Sequence, residues 1–156
     1  MMSPKARFYI AAGLFLAWLG WLVYLVTQTR HPIILSRPQF LVADLYVTAR
    51  LTAKDGKPAA EASIDKTLWA RDDKDKLPPG TQITVINLPE CGPEQGWEGN
   101  GLYVVPLMKA ESKDRYRIAL IPQSPGFAPD AAHRLRIYPA TEEVLRQVDE
   151  LIAKNQ

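Results

Sequence analysis

A chain of 156 residues with 19 Lys and Arg against 17 Asp and Glu carries a formal net charge of only +2. Three of those cations, Lys5, Arg7 and Arg30, precede residue 31, leaving 16 cations against 17 acids in the rest. That balance excludes nucleic-acid binding, because neutralising phosphates needs a concentrated basic face. Cys91 is the single cysteine, so an internal disulfide is excluded too, and stability must come from a packed core.

The chain opens on a short basic flank, and residues 8–26 then run apolar without one charge. At about 1.5 Å of rise per residue, those positions make a helix of about 29 Å, enough to cross the hydrocarbon core of a bilayer. A signal peptide has a shorter apolar stretch, about 7–15 residues, followed by small residues at a cleavage site. Val26, Thr27, Gln28, Thr29 and Arg30 offer no such site, and no cysteine follows closely enough for a lipid anchor. The expectation is an uncleaved signal anchor at 8–28 behind a cytoplasmic tail at 1–7. Lys5 and Arg7 nearly balance Arg30 and Arg37 across it, and the shortness of the tail sets the direction. This places the protein in a bacterial cytoplasmic membrane as a single-pass chain, with its C-terminal domain in the periplasm. Within the anchor, Gly13, Ala17 and Gly20 share one face, a strip of small residues suited to helix–helix packing.

Residues 29–39, with Pro32 and Pro38, read as an extended neck reaching no more than about 35 Å. From Leu41 to Ala53, apolar residues recur at every second position, the pattern of a half-buried strand. Asp55-Gly56 supplies the turn chemistry after it. Further strands are expected at 60–69, 82–88, 102–108 and 116–121, and a short edge strand at 135–138. Thr141 can cap a closing helix at 141–154, whose Val144, Leu145, Val148, Leu151 and Ile152 form one apolar stripe. Glu142–Arg146 and Glu150–Lys154 are spaced to pair on its wet side.

These elements define a mainly β fold: a transmembrane helix, a small OB-like antiparallel barrel of five or six strands over 40–138, and a C-terminal helix. Closure removes exposed sheet edges. The run 43–51, the Pro78-Pro79-Gly80 turn before the third strand, Cys91-Gly92, and the Gly101-Leu102-Tyr103 opening of the fourth strand resemble netrin-like, metalloprotease-inhibitor-type OB barrels. The resemblance covers residues 40–121 and implies the fold. It does not imply inhibition, which in that family depends on an N-terminal cysteine and several disulfides. Residues 35–42 also resemble the neck of short membrane-anchored bacterial proteins.

The loop at 89–101 carries the candidate partner- or ligand-binding residues, Cys91 and Trp97, with Tyr103 just beyond it. Loops on a rigid scaffold often carry binding residues; a Trp closing one barrel end and a buried thiol are the structural alternatives. Cys91 and His133 could in principle form a nucleophile and its base, but nothing in their spacing indicates it. Asp72, Asp73 and Asp75 lack the glycine and distant glutamate of a calcium loop, and two histidines with one cysteine supply no metal or haem motif. No cofactor is expected. The expected function is a non-catalytic, membrane-anchored binding module, an accessory or assembly subunit contacting other membrane proteins through anchor and barrel loops. A periplasmic small-ligand carrier is the alternative, and a thiol enzyme using Cys91 the third reading.

Overall fold

The computed structural model describes residues 4–28, 35–111, 114–123, 126 and 134–154. It divides into two compact units, Met1–Ile33 and Ile34–Gln156. Among its described residues the first unit is one helix, α1 (Pro4–Gln28). Pro4 stands in its first turn, where a missing N–H costs nothing. Its segment Phe8–Leu25, 18 residues with none buried, is long and apolar enough to cross a membrane.

The second unit begins with a short helix, α2 (Arg37–Val42), and continues β1 (Leu45–Lys54), β2 (Lys57–Ala70), β3 (Gln82–Val85), β4 (Gly101–Lys109), β5 (Arg115–Ile118), β6 (Tyr138–Pro139) and α3 (Glu142–Lys154). Strand order β1-β2-β3-β5-β4, with β4 returning to β1, closes a five-stranded barrel, and β6 pairs with β4 outside it. Asp55 and Gly56 both adopt positive φ, 53° and 78°, as the tight two-residue hairpin between β1 and β2 requires. Register shifts interrupt the β1–β2 ladder at three places. Such bulges add local twist and bend, which helps a short sheet to close.

Three sequence expectations need correction here. The sheet is mixed, not wholly antiparallel, because β3 and β5 run parallel. The first strand starts at Leu45, and the alternation from Leu41 to Ala43 belongs to α2 and its exit. The neck does not extend to residue 39: Leu35, Gln39 and Phe40 are 3%, 0% and 1% exposed. Residues 29–34 of that neck lie outside the described residues.

Apolar side chains pack the barrel interior. Leu45, Val47, Leu51, Ile64, Val85, Leu107 and Ile118 are each at most 1% exposed and form one cluster that Leu135 and Ile137 complete. A second core lies outside the wall, where Phe40, Ala43, Tyr46, Val104 and Tyr138 meet Val144, Val148 and Leu151 of α3. The Thr141 hydroxyl accepts the Val144 N–H at 3.3 Å, as expected of a cap. Arg146, however, pairs with Glu143 and Glu150, both at 2.6 Å, and not with Glu142.

Gln39 locks α2 against the barrel. Its amide donates to the carbonyls of Ala119 and Arg136 at 2.7 and 2.9 Å, and its carbonyl accepts the Tyr138 hydroxyl at 2.7 Å. The Tyr138 oxygen in turn accepts the Ser36 N–H at 3.1 Å. A buried polar side chain is tolerated at such a place only when its hydrogen bonds are made.

Candidate functional site

The structure turns the 89–101 loop inward. Cys91, Trp97 and Tyr103 are 1%, 5% and 3% exposed. The Trp97 and Tyr103 rings stack at 5.4 Å with 24° between their planes, and the Tyr103 hydroxyl donates to the Gly99 carbonyl at 2.8 Å while accepting the Glu98 N–H at 3.1 Å. Gly96 holds a φ of 94°, and a Cβ there would lie 2.2 Å from the Ile137 carbonyl oxygen, so only glycine fits. The loop is thus a plug over one barrel end, and none of the three residues has surface to offer a partner. Burial, with the Glu90 carboxylate adding to it, pushes the Cys91 thiol up to about 12, the opposite of an activated nucleophile. Its suggested base, His133, lies outside the described residues.

Elsewhere the expected residues are placed without being brought into a site. Gly13 and Gly20 have no atom within 4 Å of a Cβ position, so that face of α1 is open in its unit. The Asp72–Asp75 turn is spent on local bonds: Asp72 accepts the Lys74 N–H at 3.1 Å, Asp73 pairs with Lys76 at 2.7 Å and Asp75 pairs with Lys109. Among the described residues, no three His, Cys, Asp or Glu side chains gather as a metal site.

What the sequence reading missed is a groove that opens beside the outward-facing row of β5 and reaches the core residues Ile118 and Leu135. It has a volume of about 760 Å³, is half open to solvent, and lies where β3, β5 and β4 end. Its lining combines the exposed Ile86, Met108, Arg115 and Arg117 with the half-buried Leu120 and the buried Ile118 and Leu135. The local chain explains the shape. Ile86 donates its N–H to the Tyr116 carbonyl at 2.9 Å, the last backbone bond of the parallel ladder. Asn87 then takes over with its side chain, accepting the Ile118 N–H at 2.8 Å and donating to the Ile118 carbonyl at 3.3 Å. A side chain in place of backbone lets the chain leave the sheet here into the turn Leu88–Glu90, and the groove opens in that departure.

A sequence signal for the groove existed. Ile86 follows the inward-facing Val85, and Met108 follows the inward-facing Leu107. Two adjacent apolar residues on a strand cannot both face in, so each pair sends one apolar side chain out.

No protein family, curated protein or solved structure matches the chain.

Proposed function

We propose that this protein is a non-catalytic binding module held at a membrane by α1, working as an accessory or assembly subunit of a membrane complex. The observation that carries the reading is the contrast between a barrel packed with its own apolar side chains and a half-open groove whose lining includes the exposed Ile86 and Met108. Binding surface is therefore offered beside charged groups in the groove, while among the described residues the interior is occupied by the barrel's own core side chains. Small-ligand sites are usually concave enough to enclose most of the ligand, which weighs against the carrier reading. The buried thiol with its raised pKa weighs against an enzyme acting through Cys91. The membrane proposed is the bacterial cytoplasmic membrane, with the barrel on the periplasmic side; what supports a membrane address is the Phe8–Leu25 segment, long and apolar enough to span one. Strand order and closure support a kinship in fold with netrin-like barrels. The inhibitory activity of that family does not transfer, since a lone internal cysteine cannot build its surface.

The test is gentle solubilisation of the full-length tagged protein from its native membrane, followed by mass spectrometry of what co-purifies. A stoichiometric set of membrane proteins, lost when residues 34–156 are expressed without the anchor, is the expected result. A solitary full-length protein sinks the subunit role.

A further inference from the structure

On β5, Arg115 and Arg117 face outward while Tyr116 and Ile118 face inward. Thr84 pairs with Arg115 and Val85 with Tyr116 across the parallel seam, so Ile86 continues that register beside Arg117. On the other side, Met108 is the direct cross-strand partner of Arg117. An outward row of Ile86, Arg117 and Met108 therefore crosses three strands, with direct neighbours close enough to share one bound side chain. Ile86 is 41% exposed and Met108 38%; among the described residues of this unit only Leu41, at 60%, is a more exposed large apolar side chain.

The charges sort themselves around that row. Lys109 is already paired with Asp75. Among the described residues, no carboxylate lies within ion-pair distance of Arg115 or Arg117. The groove's two acids, Glu90 and Glu111, stand in the turns beyond β3 and β4 and not on the three-strand row. The centre of the groove is thus a cation between two apolar side chains. Arg117 is exposed, and its guanidinium presents a planar fork to a carboxylate.

The backbone narrows the mode of binding. Barrel closure and the Asn87 clamp leave the row without an open strand edge, so an occupant cannot join as an extra strand and must be read through side chains. The groove is half open to solvent, so a small amphiphile lying in it would keep much of its surface wet. A polypeptide brings its own bulk to exclude water from both sides.

We propose that the groove receives an extended apolar segment of a partner protein carrying one carboxylate, which accepts hydrogen bonds from Arg117 while its neighbours cover Ile86 and Met108. This rests on the binding-module reading above and gives that module's partner a chemistry.

The experiment uses the full-length protein in its native membrane, with the photoreactive residue benzoylphenylalanine in place of Met108 and, as a control, in place of Glu142 on the wet side of α3. The expected result is a protein adduct from position 108 only. The mapped attachment point lies in an apolar stretch within a few residues of an Asp or Glu. Arg117→Glu reduces the adduct about tenfold or more, the scale of a lost charge-assisted hydrogen bond, whereas Arg117→Lys retains part of it. Changing the mapped Asp or Glu to Lys restores capture by Arg117→Glu. Both Arg117 variants must give the melting curve of the parent; if Arg117→Glu does not, Arg117→Gln takes its place.

An adduct to lipid, an adduct indifferent to Arg117, or an attachment site without a carboxylate overturns the proposed occupant. Absence of any adduct at 108, with a complex still co-purifying, overturns the groove as the docking site but leaves the binding module standing. Failure of co-purification itself is the separate result that sinks the module reading.

Discussion

Replacing Gln39 with Leu keeps the side chain's bulk and removes every hydrogen bond it makes. Gln39 is fully buried, and its loss leaves the Ala119 carbonyl and the Tyr138 hydroxyl without the partners they have at 2.7 Å. The Arg136 carbonyl, only part-buried, can turn to water. An unsatisfied buried polar group costs about 1–3 kcal/mol, so two of them cost about 2–6 kcal/mol, offset by about 1 kcal/mol from burying apolar atoms in place of the amide. The net expectation is a loss of about 3 kcal/mol. For a domain of this size that corresponds to a Tm lower by about 12 °C. The assay is thermal and urea unfolding of residues 34–156 followed by circular dichroism, for the parent, Gln39→Leu, Tyr138→Phe and the double variant. Tyr138→Phe alone should cost less, about 1–2 kcal/mol, and the cycle should show coupling of about 1 kcal/mol between the two sites. A Gln39→Leu protein within about 0.5 kcal/mol of the parent refutes the claim that this network locks α2 to the barrel.

Gly96→Ala should destabilise by about 3 kcal/mol or more, through a positive φ and a clash with the Ile137 carbonyl; a urea midpoint equal to the parent's contradicts it. Cys91 should resist Ellman's reagent at pH 8 in the folded state and react once urea unfolds the domain, because burial holds its pKa near 12; rapid stoichiometric labelling of native protein contradicts that burial. Stability should be flat through neutral pH and fall on the alkaline side. Burial raises Cys91 from its ordinary 9.0 to about 12 and Tyr46 from 10.0 to about 12. The folded state therefore keeps protons that the unfolded chain releases, and stability is lost as pH climbs from 9 towards 12. Cys91→Ala should delay the onset of that fall to about pH 10, and urea unfolding at a series of pH values decides it.

Much of the barrel was legible because its strands obey a local rule. The alternation in 45–53, the Asp-Gly hairpin and the Pro-Pro-Gly approach to β3 each state their structure within a few residues. Thr141 and the apolar stripe after it did the same for α3. The errors arose where the deciding contact was remote in sequence. Leu41 and Ala43 continue the period of β1, and only the burial of Phe40 against Tyr46, at 4.7 Å between rings, shows that the chain there is helical packing and not strand. Gln39 looks like a linker residue until its partners arrive from positions 119, 136 and 138. The parallel seam cannot be read from spacing, since it joins β3 to β5 across the whole of β4. The candidate site suffered most. Trp97 and Cys91 drew attention as rare residues in an irregular loop, yet rarity marked a plug. The groove is built from commonplace Ile86, Met108 and Arg117, which the barrel's closure alone makes neighbours.

The Asn87 clamp has a consequence for the mechanics of the barrel. β1 and β4 are held by seven paired positions, whereas β3 and β5 share only two, and an amide side chain finishes the job. The cylinder is therefore a belt with one short buckle, and thermal breathing should begin there, with the Ile86 and Ile118 amides exchanging ahead of those in β1. Anything lying across Ile86, Arg117 and Met108 grips both sides of that buckle at once. A partner present at a hundredfold excess over its Kd would tighten the domain by about 2.7 kcal/mol, and the amides at the buckle would be the first to slow. Docking and fastening would then be one event, and a barrel left unoccupied would be the looser, shorter-lived form.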